Sequence, residues 1–229
     1  MYTTISADVI SYTLLPEPDK RLLEKNLQQL LGDLSIKFSN YNFYGRLVQG
    51  DYIECAMNST EYALRVALML KTFVKSIGIT TSTNKKSLKY FLEHGLRIAV
   101  AIAPLKKLDP ENGIIDGEAI YLSGRAIKNL STSDKKRVVI KNTMFFKSSD
   151  EKLQDQMNAF FSLLDIIISK CSTKQSEVVY YKLQNLSEKE IAKKLNKSQS
   201  TISQHSTSAG WTAIENVVNY YEKILSSCF

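Results

Sequence analysis

The stretch GLRIAVAIAPL, residues 95–105, narrows most what the chain can become. It is apolar almost without interruption, rich in β-branched and small residues, and closed by a proline, which reads as a buried strand. A buried strand needs neighbouring strands and covering helices, and the flanking sequence supplies candidates for both. Thr3 to Ile10 mixes β-branched with small residues ahead of Pro16 and Pro18, the pattern of a strand and a loop. DKRLLEKNLQQLL offers Asp19 as an acidic N-cap and carries Leu22, Leu23, Leu27, Leu30 and Leu31 at helical period. FYGRLVQGDYIECAM holds two β-rich runs broken at QGD, as in a hairpin. STEYALRVALMLKTFVKSIG reads as a helix capped by Ser59 or Thr60 and stopped by Gly78. TTSTNKK reads as a loop, EAIYLSGRAIKNLS as a helix and KRVVIKN as another strand. The succession strand, helix, hairpin, helix, strand, helix, strand predicts an α/β sandwich with a mixed sheet and helices largely on one face.

This first domain is expected to span residues 1–146. A helix over residues 150–171 follows, with Leu153, Met157, Phe160, Leu164, Ile167 and Cys171 spaced alternately by four and three, which makes one apolar seam. The seam fits packing against the first domain or pairing with a second copy. Beyond STKQS the composition changes to short, lysine-rich amphipathic helices, and a second, all-α domain is expected over residues 174–229.

With 229 residues, 44% of them hydrophobic and 23% charged, the chain has the composition of an ordinary soluble globular protein. Its formal charge of +7 suits a polyanionic partner. MYTTISADVI lacks a basic leader and a long apolar core, and no run approaches the roughly 20 apolar residues that cross a bilayer, so a cytoplasmic location without membrane contact is expected. Cys55, Cys171 and Cys228 show neither disulfide nor zinc spacing.

In SEKEIAKKLNKSQSTISQHSTSAGW, Ile191, Ala192, Leu195 and Ile202 are the apolar positions and Asn196 divides two short helices. A small residue at 192 lets the helices cross closely, a residue tolerant of left-handed backbone is required at 196, and Ile202 anchors the second helix from below. The segment resembles the helix-turn-helix of the sigma-factor and LuxR-like class, with SEVVYYKLQNL as a supporting helix and AIENVVNYYEKIL as a closing one. Gln199, Ser200, Ser203, Gln204 and His205 then offer short donors and acceptors to base edges, and Lys193, Lys194 and Lys197 meet phosphates. Double-stranded DNA, bound by a homodimer, is the expected partner.

Two further features point to nucleotide chemistry. GEAIYLSGRAI opens a helix with Gly117, and glycine-opened helix starts often face phosphates. Asp8 ends a strand and Asp51 lies in the QGD turn, and two carboxylates joined at strand ends can hold Mg2+, which prefers oxygen ligands. SADVISYT, RLVQGDYIECAM, EYALRVALML, LRIAVAIA and GEAIYLSGRAI follow one another as in the class III nucleotidyl cyclase catalytic domain, and the whole chain resembles the SatD family, a cyclase-type domain followed by a helix-turn-helix.

That resemblance implies a ferredoxin-like, cyclase-like α/β (α+β) sandwich. In it Asp8 and Asp51 match the metal-binding aspartates, Arg125 matches the transition-state arginine, and Gly117, Tyr121 and Arg125 form the nucleotide site. Departures accompany it: Tyr121 stands where cyclases place asparagine, Leu47 where a base-selecting lysine is expected, and Ile114 where a base-contacting aspartate is expected. Arg46 and Asp116 lie one and two residues away, and a one-residue shift on a strand reverses the face. The expectation is a DNA-binding transcriptional regulator whose cyclase-like domain senses a nucleotide ligand or dimerises with weak or no turnover. The alternative is a Mg2+-dependent nucleotidyl cyclase or related nucleotidyltransferase tethered to DNA.

Overall fold

The computed structural model describes residues 1–79, 86–131 and 142–228. The expected strand KRVVIKN lies almost wholly outside the described residues, as does most of the TTSTNKK loop. The α/β part runs β1 (Tyr2–Val9), α1 (Glu17–Lys37), β2 (Tyr44–Val48), β3 (Tyr52–Met57), α2 (Ala63–Ser76), α3 (Lys86–His94), β4 (Leu96–Ala103), β5 (Lys107–Asp109), β6 (Ile114–Asp116), α4 (Glu118–Ser131) and β7 (Met144–Ser148). Five helices follow: α5 (Glu151–Lys170), α6 (Thr173–Leu183), α7 (Glu188–Leu195), α8 (Gln199–Ser208) and α9 (Trp211–Cys228).

The main sheet is mixed, in the order β2-β3-β1-β4-β7, antiparallel throughout except that β7 runs parallel to β4. Alternation along β1 divides the two faces. Ile5, Ala7 and Val9 join the large core with Leu23, Leu27 and Leu30 of α1 and Leu64, Leu68 and Val74 of α2. Thr4 and Ser6 point the other way, where their hydroxyls meet Ser123 of α4 at 3.2 and 2.8 Å. On that face β4 presents Ala99, packed with Ala126 and Ile127 of α4. Small side chains on both central strands let α4 sit close, while α1, α2 and α5 occupy the opposite face.

Several boundaries differ from the sequence reading. α1 begins at Glu17 rather than after Asp19, because Pro18 falls in the first turn, where its missing N–H costs nothing. α2 begins at Ala63 without a side-chain cap and ends before Ile77, and Thr60 instead donates to the carbonyl of Leu225 at 3.5 Å. α3, the β5–β6 hairpin and β7 have no counterpart in the sequence reading.

The largest difference concerns the second domain. Val179, Tyr180 and Leu183 of α6 and Ile214, Val218, Tyr221 and Leu225 of α9 belong to the same apolar core as the sheet. Arg65 of α2 reinforces the junction, donating from Nε to Glu222 at 2.5 Å and from Nη1 to the Leu183 carbonyl at 3.0 Å and Asn185 Oδ1 at 3.1 Å. The core therefore runs across the boundary expected near residue 174, and only Val178, Ile191, Ala192 and Ile202 form a small cluster of their own. The apolar seam of α5 is covered within the chain as well. Leu153, Met157, Phe161, Leu164 and Ile168 are buried in the shared core, with Phe160 and Ile167 half-buried beside them, so the seam packs on its own chain rather than on a second copy. Among the described residues no helix is long and apolar enough to cross a membrane.

Candidate functional site

Asp8 lies near the end of β1, opposite Tyr52 of β3 and Arg97 of β4. The turn before β3 is compact, with Gln49 at φ 53° and Gly50 at φ 83°, and the Asp51 carbonyl accepts from the Val9 amide at 3.0 Å. The two aspartates thus share one end of the sheet. Asp8 Oδ2 accepts from Arg97 Nη1 at 2.9 Å, whereas Oδ1 is buried with no hydrogen-bond partner. Burial pushes the Asp8 carboxyl above its ordinary range, Arg97 opposes the shift, and Asp51 adds to it. Burial raises Asp51 too, against a bond from its own backbone, with Glu24 contributing.

A divalent cation would find one oxygen of Asp8 committed to Arg97 and the other without a partner. Mg2+ draws on one or two free carboxylates with substrate phosphates and water. Here one of the two carboxylates is already engaged by a guanidinium that strand register holds opposite it, and among the described residues no group of three or more His, Cys, Asp or Glu side chains gathers.

The residues expected to hold a nucleotide are arranged differently from the expectation. Gly117 adopts φ +137°, and a Cβ there would fall 2.5 Å from the Lys106 amide nitrogen and 2.8 Å from Leu105 Cα. The Ala119 amide donates to the Pro104 carbonyl at 3.2 Å. The start of α4 is therefore packed against its own chain, and Gly117 permits the close backbone approach there. Tyr121 is half exposed and its hydroxyl donates to Asp116 Oδ1, while Arg125, one turn further on, is exposed on the same outward face. Ser123, between them, faces the sheet. Arg46 lies on the α4 face of the sheet, where it donates to Glu54 at 2.8 Å and to the Gly113 carbonyl. Leu47 packs into the core on the other face, as alternation requires.

Towards the C-terminus, α7 and α8 follow the sequence reading closely. Ser187 caps α7 in a reciprocal box with Glu190, and Ser198 caps α8 by accepting from the Thr201 amide at 3.2 Å. Asn196 ends α7 at φ 50°, ψ 51°, the left-handed conformation that its position requires, and the next amide, of Lys197, donates to the Ala192 carbonyl at 2.9 Å. Ala192 and Ile202 are buried at the crossing. Outward lie Lys193, Lys194, Lys197, Gln199, Ser200 and Gln204, all exposed, whereas Ser203 and His205 are half-buried at the edge of the face. Lys194 also stands over the Tyr181 ring, 5.3 Å from its centroid.

Sequence reasoning missed Arg97 and a buried lysine, Lys71. Both had a signal: Arg97 is the only charge in LRIAVAIA, and Lys71 interrupts the apolar run VALMLKTFV. No family model, curated protein or solved structure matches the chain.

Proposed function

We propose that the protein is a DNA-binding transcriptional regulator in which α8 enters the major groove and the α/β layer, ferredoxin-like and cyclase-like in arrangement, carries a regulatory role. The observation that carries this reading is the α7–α8 unit: a left-handed Asn196 between two serine-capped helices, a buried Ala192–Ile202 crossing, and exposed amides, hydroxyls and lysines around α8. Lys193, Lys194 and Lys197 contact phosphates, Gln199, Ser200 and Gln204 read base edges, and Ser203 and His205 contribute from the rim. The strand order β2-β3-β1-β4 with helical crossovers supports the ferredoxin-like arrangement, to which β7 adds a parallel edge. Dimeric binding to paired half-sites is part of the proposal, with the symmetric contact made outside the α5 seam.

Nucleotide turnover has little support. Tyr121 commits its hydroxyl to Asp116, and Asp8 is tied to Arg97. A binding titration against genomic DNA fragments at several salt concentrations tests the reading. The substitutions Lys193→Ala/Lys194→Ala should weaken binding to all sequences alike and lower the salt slope by roughly 0.9 for each phosphate that is no longer neutralised. An unchanged affinity and slope would reassign α7–α8 as a protein-docking element, and cyclic product formed by the purified protein would favour the enzyme instead.

A further inference from the structure

The buried seam of α5 leaves the opposite side of that helix in water, and that side is largely apolar too. Asp155, Ala159, Leu163, Ile166 and Lys170 follow at intervals of four, four, three and four, which keeps them on one stripe. All five are exposed, Leu163 by 59% and Ile166 by 51%. α9 widens the stripe. Its half-exposed Tyr220 meets Phe160 of α5 edge to face, 5.6 Å between ring centroids, and Ile167 lies against Gly210, just before α9 begins. The two helices therefore run side by side in opposite directions. On the side of Tyr220, α9 offers the exposed Ala213 and Asn216 and the half-buried Val217, none of them charged. From Asp155 to Lys170 the face is about 22 Å long, and two helices make it roughly 20 Å wide. A face of about 400 Å² that is mostly apolar is of the size at which a monomer's largest patch often has a function.

The order of side chains along the stripe identifies what covers it. The stripe begins with an acid and ends with a base, and among the described residues neither Asp155 nor Lys170 forms an ion pair. Laid antiparallel on a second copy, the stripe complements itself: Asp155 comes opposite Lys170, Ala159 opposite Ile166, and Leu163 lies beside the two-fold axis. Lys152, one turn before Asp155, falls beyond the end of the opposing α5. A small residue thus faces a large one and each charge its opposite, which is the self-complementarity an isologous contact requires. We propose that two copies of this chain pair through this face, α5 against α5 in opposite directions with α9 alongside. The contact buries on the order of 800 Å² in total, the low end for specific association, so the dimer is reversible and concentration-dependent. It supplies the symmetric contact that paired half-sites need. That use rests on the DNA-binding reading; the self-association does not.

The test uses the full chain without DNA, so a failure of DNA binding leaves it intact. Sedimentation equilibrium from about 1 to 100 μM should show monomer and dimer in exchange. Leu163→Asp, at an exposed position where the monomer keeps its fold and its circular dichroism, should raise the dimer Kd about a hundredfold or more, because it sets two charges at the centre of the contact. Asp155→Lys and Lys170→Asp each place like charges opposite one another twice and should each weaken the dimer about tenfold. An equimolar mixture of these two variants should instead form a heterodimer of nearly the original strength, since every charge then meets its opposite. A chain that stays monomeric over that range, a dimer indifferent to Leu163→Asp, or charge variants that fail to recover on mixing would overturn the proposal.

Discussion

Replacing Lys71 with methionine should be among the most damaging single changes available in this chain. The Lys71 side chain is fully buried on α2, and its ammonium donates to the carbonyls of His94 at 3.0 Å and Leu96 at 2.7 Å and to Thr143 Oγ1 at 2.6 Å. Asp165 of α5 lies 3.3 Å away and accepts both the hydroxyl and the amide of Thr143. One cluster therefore fastens α2, the α3–β4 junction, the entry to β7 and α5. Burial drags the Lys71 ammonium down, with Asp165 opposing, and the ring of oxygen acceptors favours the charged form. Burial raises Asp165, but the Lys71 charge and the Thr143 bonds outweigh it and hold the carboxyl below its ordinary range.

Methionine has a similar length and no charge, so Lys71→Met leaves a buried carboxylate unpaired, at a cost of about 3–5 kcal/mol. For a chain of this size each kcal/mol lowers the midpoint by about 2–4 °C, giving a fall of roughly 6–20 °C. Urea unfolding measures the loss directly. The double variant Lys71→Met/Asp165→Leu should recover part of it, because the orphaned charge is gone while the His94 and Leu96 carbonyls still lack a donor. Acid titration supplies an independent check. A carboxyl whose folded pKa lies below the unfolded value of about 3.9 contributes stability above that value and loses it as pH falls through the folded pKa. That acid-side contribution should vanish in Lys71→Met. A loss under about 1 kcal/mol in the single variant, or no recovery in the double one, would refute the reasoning.

At the carboxylate end of the sheet, Asp51→Asn should lower the Asp8 pKa and Arg97→Met should raise it, as read by carboxyl 13C shifts against pH. Because the folded Asp8 pKa lies above the unfolded one, native stability falls as pH rises between the two, and Asp51→Asn should lessen that penalty at neutral pH but change little below about pH 3.9. At the turn between α7 and α8, Asn196→Gly should be tolerated, whereas Asn196→Val should cost roughly 1–2 kcal/mol in chemical unfolding, the penalty of left-handed backbone for a branched side chain. A harmless valine there would mean the turn can relax.

What was legible in the sequence was what neighbouring residues decide among themselves. Ala192, Asn196 and Ile202 are close in sequence, and crossing and turn each follow from local spacing, so these features of α7 and α8 are legible, whereas the serine caps at Ser187 and Ser198 went unread. The strand-end position of Asp8 and the turn position of Asp51 were legible for the same reason. Their chemistry was not, because the partner that changes it arrives through the pairing of β1 with β4, which brings Arg97 opposite Asp8 at a sequence separation of 89. Gly117 makes the same point: its helix-opening position was visible, but the Leu105–Lys106 backbone that excludes a side chain was not. The α5 repeat marked a covered stripe, with Phe161 and Ile168 rather than Phe160 and Ile167 at its buried centre, and left its partner undetermined, since an apolar seam records only that something covers it.

The continuous core had a signal that composition obscured. ALRVALMLKTFV is apolar around nearly its whole circumference, and a helix of that kind must be covered on all sides. α2 meets that demand by lying between the sheet and α6, with α9 alongside, so Ala63, Leu64, Val66, Ala67, Leu68, Met69 and Leu70 are all buried. Its charged residues are placed accordingly: Arg65 holds the end of α6 and Glu222 of α9, and Lys71 reaches β4 and α5. α2 is thus the layer shared by the sheet and the C-terminal helices. In a close-packed interior a displacement on one side is not absorbed but transmitted. A ligand or partner that shifts α1 or the sheet would therefore move α6, and with it α8, without any hinge between separate domains.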